Sequence, residues 1–194
     1  MNIGKLKRFI VEKLKKELSE KLTYHGALHT LYVLKSCNQY IKRMQIGAND
    51  AYLLRTAAIM HDTGFMWNFD NHEDESIKYT KELLPGWNYS SSDIDKIVGM
   101  IQATKKPQQP KNALEQILAD SDLDYLGTEY FYTIGNKLYT ELLAINKIST
   151  KEEWNRLQVT FLQEHKYHTP FAIKYRKPVK QKYLKEIMDK WGWK

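Results

Sequence analysis

Cysteine is nearly absent from this chain, which has one such residue, Cys37, among 194. A single thiol cannot form an internal disulfide bond, so the fold cannot depend on one. No stretch of about 18 or more apolar residues occurs, and the sequence therefore predicts no membrane-spanning helix and no membrane partner. The amino-terminal segment is charged and lacks the apolar core of a signal peptide, and we therefore expect a cytoplasmic protein.

Internal repeats, low-complexity segments and long linkers are also missing, so the sequence predicts a single domain, residues 1–194. The formal net charge of +7 comes from residues 166–194, because the preceding residues contain equal numbers of basic and acidic side chains. A basic end of this kind can attract phosphate-rich substrates or nucleic acid. A solvated helix face is the simpler explanation, and a nucleic-acid partner is not favoured.

Apolar residues recur through the chain at intervals of three and four, which predicts an all-α helical bundle. The first helix follows from the series Ile3, Leu6, Phe9, Ile10, Leu14 and Leu18. We predict a second helix from about Tyr24 to Ile41, and a third that Asn49 and Asp50 cap. Further helix starts are predicted at Asn71 (ending at Pro85-Gly86), Ser91 and Ser92, Asn112, Thr128, Thr150 with Glu153 as a capping box, and Pro178.

Histidine and aspartate residues are spaced so that such a bundle can bring them together. They are His29, the adjacent pair His61-Asp62 and the downstream cluster Asp120, Asp122 and Asp124. Imidazole nitrogens and carboxylate oxygens bind borderline or hard divalent cations. Burying two hydrophilic groups at the end of an apolar helix is costly without a partner, and a metal ion supplies that partner. The sequence therefore predicts an open metal site of the kind that supports hydrolysis.

Three segments carry a resemblance to a known family: Tyr24-His25-Gly-Ala-Leu-His29-Thr, His61-Asp62-Thr-Gly and Asp120-Ser-Asp122-Leu-Asp124. In this order they resemble the His, His-Asp, Asp signature of the HD-domain metal-dependent phosphohydrolases. Members of that superfamily are all-α proteins that hydrolyse phosphomonoesters, phosphodiesters or nucleotides. The first segment is also similar to the cyclic-nucleotide phosphodiesterase pattern Tyr-His-Asn-x-x-His-Ala, with Gly26 and Thr30 in place of the Asn and the Ala. The resemblance predicts an HD-domain helical bundle with a motif-bearing core, residues 24–127, on which C-terminal helices, residues 128–194, are packed.

The resemblance also implies a set of metal ligands, namely His29, His61, Asp62 and Asp122. Such a set admits manganese, magnesium, iron, cobalt, nickel or zinc. A divalent ion there activates water for attack on phosphorus, and Asp62 can also orient that water. His25 is then the general acid that protonates the leaving group, a role suited to an ordinary histidine pKa of about 6.5. On a helix, His25 and His29 would lie one turn apart on the same face.

The choice among the three downstream aspartates rests on their apolar neighbours. Relatives place apolar residues around the ligand in a pattern that is met around Asp122, by Ile117, Leu118 and Leu123. Asp120 is the alternative ligand, and Asp124 is expected to accept a hydrogen bond from a ligand histidine or from substrate.

Candidate substrate contacts lie outside this ligand set. The principal ones are His72, which either contacts phosphate or a second, weaker ion or only caps a helix, and Lys105. Weaker candidates are Lys106, His165 and His168 for anions, and Trp67 and Phe69 for stacking on a nucleobase. Two-metal members of the HD-domain superfamily carry a further histidine near the end of the helix that follows. Because Ile101-Gln102-Ala-Thr104 stands there in this chain, the resemblance implies a single tightly held metal.

Two functions follow from these residues. The first is a metal-dependent phosphohydrolase, a phosphomonoesterase or phosphodiesterase, acting on a nucleotide or a small phosphorylated metabolite. The second is a non-catalytic module that senses a nucleotide in the same pocket or associates with RNA. The complete ligand set favours the enzyme.

Overall fold

The computed structural model describes residues 2–193, in which every regular element is helical. The ten α-helices of this range are α1 (Ile3–Glu17), α2 (Ala27–Arg43), α3 (Ala48–Met60), α4 (His72–Leu83), α5 (Ser91–Gln102), α6 (Ala113–Asp122), α7 (Phe131–Ala144), α8 (Lys151–Glu164), α9 (Pro170–Tyr175) and α10 (Lys177–Trp191). Short 3₁₀ turns occupy Thr63–Met66, Leu84–Trp87 and Asp124–Gly127. The predicted all-α class is confirmed. Across residues 2–193, none of the helices has both the length and the apolarity that crossing a membrane requires.

Several helix starts lie where the capping residues predict. The Asn112 side chain accepts hydrogen bonds from the backbone N–H groups of Leu114 and Glu115 at the start of α6. Thr150 and Glu153 form the reciprocal capping box of α8, and Pro178 lies in the first turn of α10. These caps satisfy backbone donors that have no partner within the helix, so local sequence alone fixes these boundaries.

Other predicted boundaries are wrong by a few residues. Helix α2 begins at Ala27 and not at Tyr24, so His25 lies in the turn before the helix and not one helical turn from His29. Gly47 is the residue before α3, and neither Asn49 nor Asp50 caps that helix. The remaining shifts are small: α4 ends at Leu83 ahead of a 3₁₀ turn, Ser90 caps α5, and α7 begins at Phe131.

The main apolar core lies among the first six helices. Helix α2 packs against α3 and α6, and α3 also packs against α5 and α1. Fully buried residues such as Leu53, Leu54 and Ile59 show that α3 is covered on nearly all sides. This explains why its apolar residues form no single stripe, and it places the end of α3, where His61 follows, deep in the protein.

A second, separate apolar cluster joins the C-terminal helices to segments of the motif-bearing region. It contains Tyr24, Leu123 and Leu126 from the motif-bearing region together with Phe131, Leu162 and Ile187 from the later helices. The contact is close at Gly127, where an added Cβ would lie 2.6 Å from the Cα of Arg176. Only glycine fits that approach without displacing the backbone of the connection between α9 and α10.

Candidate metal centre

Three helices bring predicted ligands to one point inside the bundle. His29 comes from α2, His61 directly follows α3, and Asp122 is the last residue of α6. Their ligand atoms all lie within 4.8 Å of one another. The Nε2 atom of His29 is 3.0 Å from Oδ1 of Asp122, and Nε2 of His61 is 3.5 Å from the same oxygen. These three side chains could hold a metal ion.

Asp62 completes the set of four side chains. Its Oδ2 atom lies 3.3 Å from Nε2 of His29 and 3.3 Å from Nε2 of His61. The two carboxylates thus face the same pair of imidazole nitrogens from different elements. The ligands implied by the family resemblance are therefore neighbours in the structure.

Two of these ligand atoms lack a hydrogen bond. Within residues 2–193, Nε2 of His61 and Oδ2 of Asp62 are buried and have no partner of acceptable geometry. Buried polar atoms in native proteins are nearly always paired, because leaving one unpaired costs about 1–3 kcal/mol. A cation among these atoms would satisfy both of them, so the residues present fit a divalent metal.

The tautomer of His61 also fits this role. Its Nδ1 atom lies 3.0 Å from the carbonyl oxygen of Ala58, one turn earlier in α3. Because a carbonyl can only accept, Nδ1 carries a proton, and in the neutral form of the ring, the form that binds metal, Nε2 has a free lone pair directed at Asp62 and Asp122. Metal-binding histidines are commonly oriented by a hydrogen bond of this type.

The electrostatics of the cluster are those of ion pairs. Burial alone would lower the pKa of both His29 and His61, yet attraction to the two facing carboxylates raises the pKa of both, that of His61 well above its ordinary value. Burial alone would raise the pKa of Asp62 and Asp122, but the facing imidazoles hold both well below the ordinary range. Without metal, protons on the histidines therefore balance the carboxylates.

His25 is placed by a carboxylate that the sequence did not indicate. Its Nδ1 atom is hydrogen-bonded to Oε1 of Glu141, a fully buried residue of α7. The other oxygen of Glu141 accepts the backbone N–H groups of Tyr24 at 2.7 Å and His25 at 3.0 Å. These bonds hold the Tyr24-His25 turn outside α2. Burial lowers the pKa of His25, and the pairing with Glu141 opposes only part of that shift.

Glu141 lay outside every motif in the sequence. It belongs to an ordinary amphipathic stretch, 116 residues from His25. Acidic residues in such helices usually face solvent, so no local signal separates it from its neighbours. Only the packing of α7 against the turn before α2 reveals its partner.

Phe65 positions His25 and His72 together. Its ring stacks on His25 at a centroid distance of 4.1 Å and on His72 at 3.8 Å. His72 donates Nδ1–H to the carbonyl of Phe69 at 3.2 Å, which leaves Nε2 3.7 Å from Oδ1 of Asp62. The structure therefore places His72 beside the metal cluster, as a substrate contact or a ligand of a second ion requires.

Gly64 makes this arrangement of rings fit. An added Cβ would lie 1.9 Å from the carbonyl oxygen of His72, and the Gly64 N–H donates to Oγ of Ser76 at 2.8 Å. The 3₁₀ turn Thr63–Met66 therefore lies directly against the first turns of α4. A side chain at position 64 would force the two segments apart.

Two of the downstream aspartates have structural partners and lie outside the metal cluster. Asp120, the alternative ligand, accepts hydrogen bonds from the backbone N–H groups of His168 and Thr169 and from the Thr169 hydroxyl. Burial raises its pKa to about 6. Asp124 is paired with Arg176 at 2.7 Å and accepts from the Tyr40 hydroxyl at 2.9 Å, instead of contacting a ligand histidine as expected.

The predicted lysine contact is not directed at the cluster. Lys105 donates to Asp74 of α4 at 2.8 Å in an exposed ion pair, which places its ammonium group on the surface beside the first turns of that helix. Trp67 is half exposed and contacts Tyr79, whereas Phe69 lies edge-on to His25 with ring centroids 5.9 Å apart. Of the two aromatic candidates, only Phe69 is near the cluster.

The weaker anion candidates lie together in a different cavity. Lys106, His165 and His168 line a space of about 550 Å³ between the α5–α6 connection and the end of α8. Another cavity of about 300 Å³ borders His29 and is walled by Tyr24, Tyr32 and Tyr130. Both volumes are in the range of small-molecule sites.

Comparison with protein-family models, curated proteins and solved structures found no match to this chain.

Proposed function

We propose that this protein is a metal-dependent phosphohydrolase of the HD-domain type that cleaves a phosphate ester of a nucleotide or a small phosphorylated metabolite. One observation carries the proposal. Residues His29, His61, Asp62 and Asp122, which match the family signature in order, converge on one point where Nε2 of His61 and Oδ2 of Asp62 lack partners. That convergence required three separate segments to fold together.

The metal would be held by the two imidazoles and the two carboxylates. When bound there, a divalent ion supplies Lewis-acid chemistry, since it polarises a phosphoryl oxygen and lowers the pKa of a water molecule. Asp62 is placed to orient a water molecule, because one of its oxygens faces the ligand histidines and the other faces His72. Its two oxygens can thus contact the metal site and a water molecule on the His72 side at the same time.

The leaving group would receive its proton from His25. Glu141 binds Nδ1 of His25, so Nε2 is the nitrogen that remains to carry a proton towards a departing oxygen. The buried carboxylate also stabilises the charged imidazole and fixes the ring plane, together with the stacked Phe65. Glu141 is in this proposal a positioning residue, because it acts through His25.

Metal analysis and a turnover screen together test the proposal. Purified protein should contain about one divalent ion per chain, or acquire one on addition of manganese. It should then hydrolyse at least one compound in a set of nucleotides, cyclic nucleotides and generic phosphodiesters. Protein that binds no metal and turns over none of them would refute the proposal, and metal binding without turnover would favour a sensor that uses the same pocket.

A variant of Asp62 makes the test specific. Asp62→Asn should lose both metal and turnover while its circular dichroism spectrum stays helical, because the carboxylate is buried at the cluster but makes no hydrogen bond of acceptable geometry through Oδ2. Asp70→Asn is the matched control, since Asp70 is exposed and paired with Lys147 on the surface. Equal loss of metal in both variants would argue against a site at Asp62.

A further inference from the structure

A cavity separate from the metal cluster is lined by basic side chains. It lies between the α5–α6 connection, residues 106–109, and residues 161–168 at the end of α8, and we call it the α8 pocket. Lys106, Lys166, His165 and His168 line it together with one acidic residue, Glu164. Phe161 and Pro107 add apolar surface. The lining thus combines cationic groups with a wall that can cover an organic group.

Buried polar atoms without partners are concentrated in the residues of this pocket. Within residues 2–193, the buried side-chain atoms that lack a hydrogen bond include Oε1 of Gln108, Nε2 of His165 and Nε2 of His168. All three residues line the α8 pocket. Apart from the metal cluster, only the hydroxyl of Ser121 shares this condition in the described chain. Because native proteins rarely leave such atoms unpaired, their concentration in one place indicates a ligand.

Lys180 adds a buried positive charge behind His165. The residue is 5% exposed, and its ammonium group donates to the carbonyl oxygens of Leu162 and His165. Within residues 2–193, no carboxylate oxygen lies within 4.0 Å of its ammonium nitrogen. A buried cation without a counter-charge is unfavourable, and a bound anion nearby would offset that cost.

Lys180 also determines which nitrogen of His165 carries the proton. Its Nζ atom lies 3.3 Å from Nδ1 of His165, and an ammonium group can only donate. Nδ1 is therefore the acceptor, which leaves the proton on the unpaired Nε2. Burial and the charge of Lys180 lower the pKa of His165 to about 3, so the ring is a neutral donor at neutral pH.

We propose that the α8 pocket binds the phosphate group of a small phosphorylated molecule, with His165 Nε2–H and the Lys106 and Lys166 ammonium groups as donors. A tetrahedral anion accepts several hydrogen bonds at once, which suits donors that approach from different sides. Gln108 Oε1 is an acceptor, because its amide nitrogen already donates to the Ala119 carbonyl at 3.2 Å. It would pair with a hydroxyl group of the same ligand. A cavity of about 550 Å³ exceeds the volume of phosphate alone and leaves room for the organic part.

The inference does not depend on the proposed hydrolysis, because it is tested in metal-free protein. Inorganic phosphate is titrated into the chelator-treated full chain, and nitrogen-15 NMR of the histidine side chains is followed. Saturable shifts of the His165 ring, with the His29 and His61 rings unchanged, are expected. Absence of saturable binding, or shifts confined to His29 and His61, would overturn the inference.

Matched lysine variants distinguish specific binding in the α8 pocket from non-specific attraction of phosphate to a positively charged surface. Lys106→Gln should weaken phosphate binding several-fold, whereas Lys111→Gln, on the same connection but outside the α8 pocket, should leave it unchanged. His165→Phe should weaken binding by about tenfold or more, the effect of losing one hydrogen bond to a charged group. Equal weakening by Lys106→Gln and Lys111→Gln would overturn the inference. If His165→Phe does not fold, the two lysine variants and the wild-type NMR shifts still decide the question.

The source of the phosphate group is decided by competition. In protein loaded with zinc, which is diamagnetic and leaves the histidine signals observable, substrate that abolishes the phosphate-induced shift of His165 identifies the α8 pocket as the place of a substrate phosphate. Simultaneous binding of phosphate and substrate, with the His165 shift retained, identifies a separate phosphorylated ligand. Both results support phosphate binding in the α8 pocket, and loss of the His165 shift when substrate is absent but metal is bound would contradict it.

Discussion

At the scale of single residues, the proposed reaction assigns protonation of the leaving group to His25, which Glu141 holds in position. The carboxylate binds Nδ1, is completely buried and also holds the backbone of the Tyr24-His25 turn. A proton donor matters most when the leaving group is a poor one, because a good leaving group departs as an anion without help. The role of His25 can therefore be separated from that of the metal ligands.

Replacement of His25 should affect substrates according to their leaving groups. We expect His25→Asn to lower kcat by roughly 10²-fold or more for an alkyl ester, and far less for a p-nitrophenyl ester of the same phosphate. Glu141→Gln should show the same selectivity with a smaller loss, since it acts through the imidazole. Steady-state kinetics on the two esters measure the ratio. An equal loss on both esters would mean that His25 does not donate the proton.

Asp124 should prove structural despite its place in the acidic cluster. Its carboxylate is 3% exposed and paired with Arg176. Because Asp124→Asn leaves a partly buried guanidinium group without its counter-charge, we expect a loss of about 2 kcal/mol in the free energy of unfolding. Urea denaturation measures it. Glu152→Gln, which breaks the exposed Arg156–Glu152 pair, is the comparison and should change stability little.

The sequence predicted some residue roles and missed others for a physical reason. The resemblance to the HD-domain pattern of flanking apolar residues favoured Asp122 over Asp120 and Asp124, and the structure places Asp122 alone of the three beside His29 and His61. The partners of Asp124 and His25 are Arg176 and Glu141, which come from late helices. Contacts over such separations depend on tertiary packing and leave no local pattern.

At the scale of helices, the 3₁₀ turn after α3 and the start of α4 form one unit. Gly64 permits their contact, and Phe65 of the same turn stacks on both His25 and His72. The position of His72 is thus set by α4 as a rigid element and not by its own neighbours in the chain. Any change that shifts α4 should move His72 relative to Asp62.

Gly64→Ala tests this coupling. The added methyl group would overlap the carbonyl of His72, so we expect a loss of about 2–3 kcal/mol in stability as α4 is displaced. Gly86→Ala is the control, because a Cβ there meets nothing within 4 Å. Thermal unfolding of both variants gives the comparison. A Gly64→Ala protein as stable as Gly86→Ala would show that the close approach is easily relieved.

Helix boundaries could be predicted only where a side chain next to the first turn caps the helix. Asn112 and the Thr150–Glu153 box gave correct starts because their hydrogen bonds are local. The start of α2 was misplaced, because the N–H groups of Tyr24 and His25 bind Glu141 and hold that segment in a turn. A distant carboxylate thus overrode the local helical pattern.

At the scale of the whole molecule, the metal-free protein should depend on pH through its central cluster. The pKa values of His29 and His61 are raised above 6.5, so their stabilising effect is complete below that pH and is lost as pH rises through the folded values. The pKa values of Asp62 and Asp122 are lowered below 3.8, so their effect is present above that pH and is lost in acid. The cluster therefore contributes most at weakly acidic pH.

Bound metal should offset the loss of stability that the metal-free protein shows as pH rises. Binding requires the histidines to lose their protons, so added manganese should raise the melting temperature more at pH 8 than at pH 5.5. Other shifted groups, such as Asp120 and His165, are common to both samples and cancel in the difference. Differential scanning calorimetry with chelator or with manganese measures it. A metal effect that does not change with pH would place the binding site elsewhere.

The all-α class could be predicted from the sequence because helical periodicity repeats within each segment. The relation between the early and late helices could not, since it depends on contacts such as Gly127 against Arg176 and on the cluster shared by Tyr24, Phe131 and Ile187. Nothing in the sequence around these residues indicates which residues they contact. The sequence-based division at residue 127 therefore passes through a surface where both parts contribute side chains.

The long reach from Glu141 to His25 has a consequence for any chimera built from related chains. A hybrid that inherits residues 24–127 from one parent and the remainder from another would receive a complete set of metal-binding side chains. It would keep the proposed proton donor in position only if the second parent supplied an acid at the corresponding place in α7. Such hybrids should fall into two groups, those that bind the ion and hydrolyse substrate and those that only bind the ion.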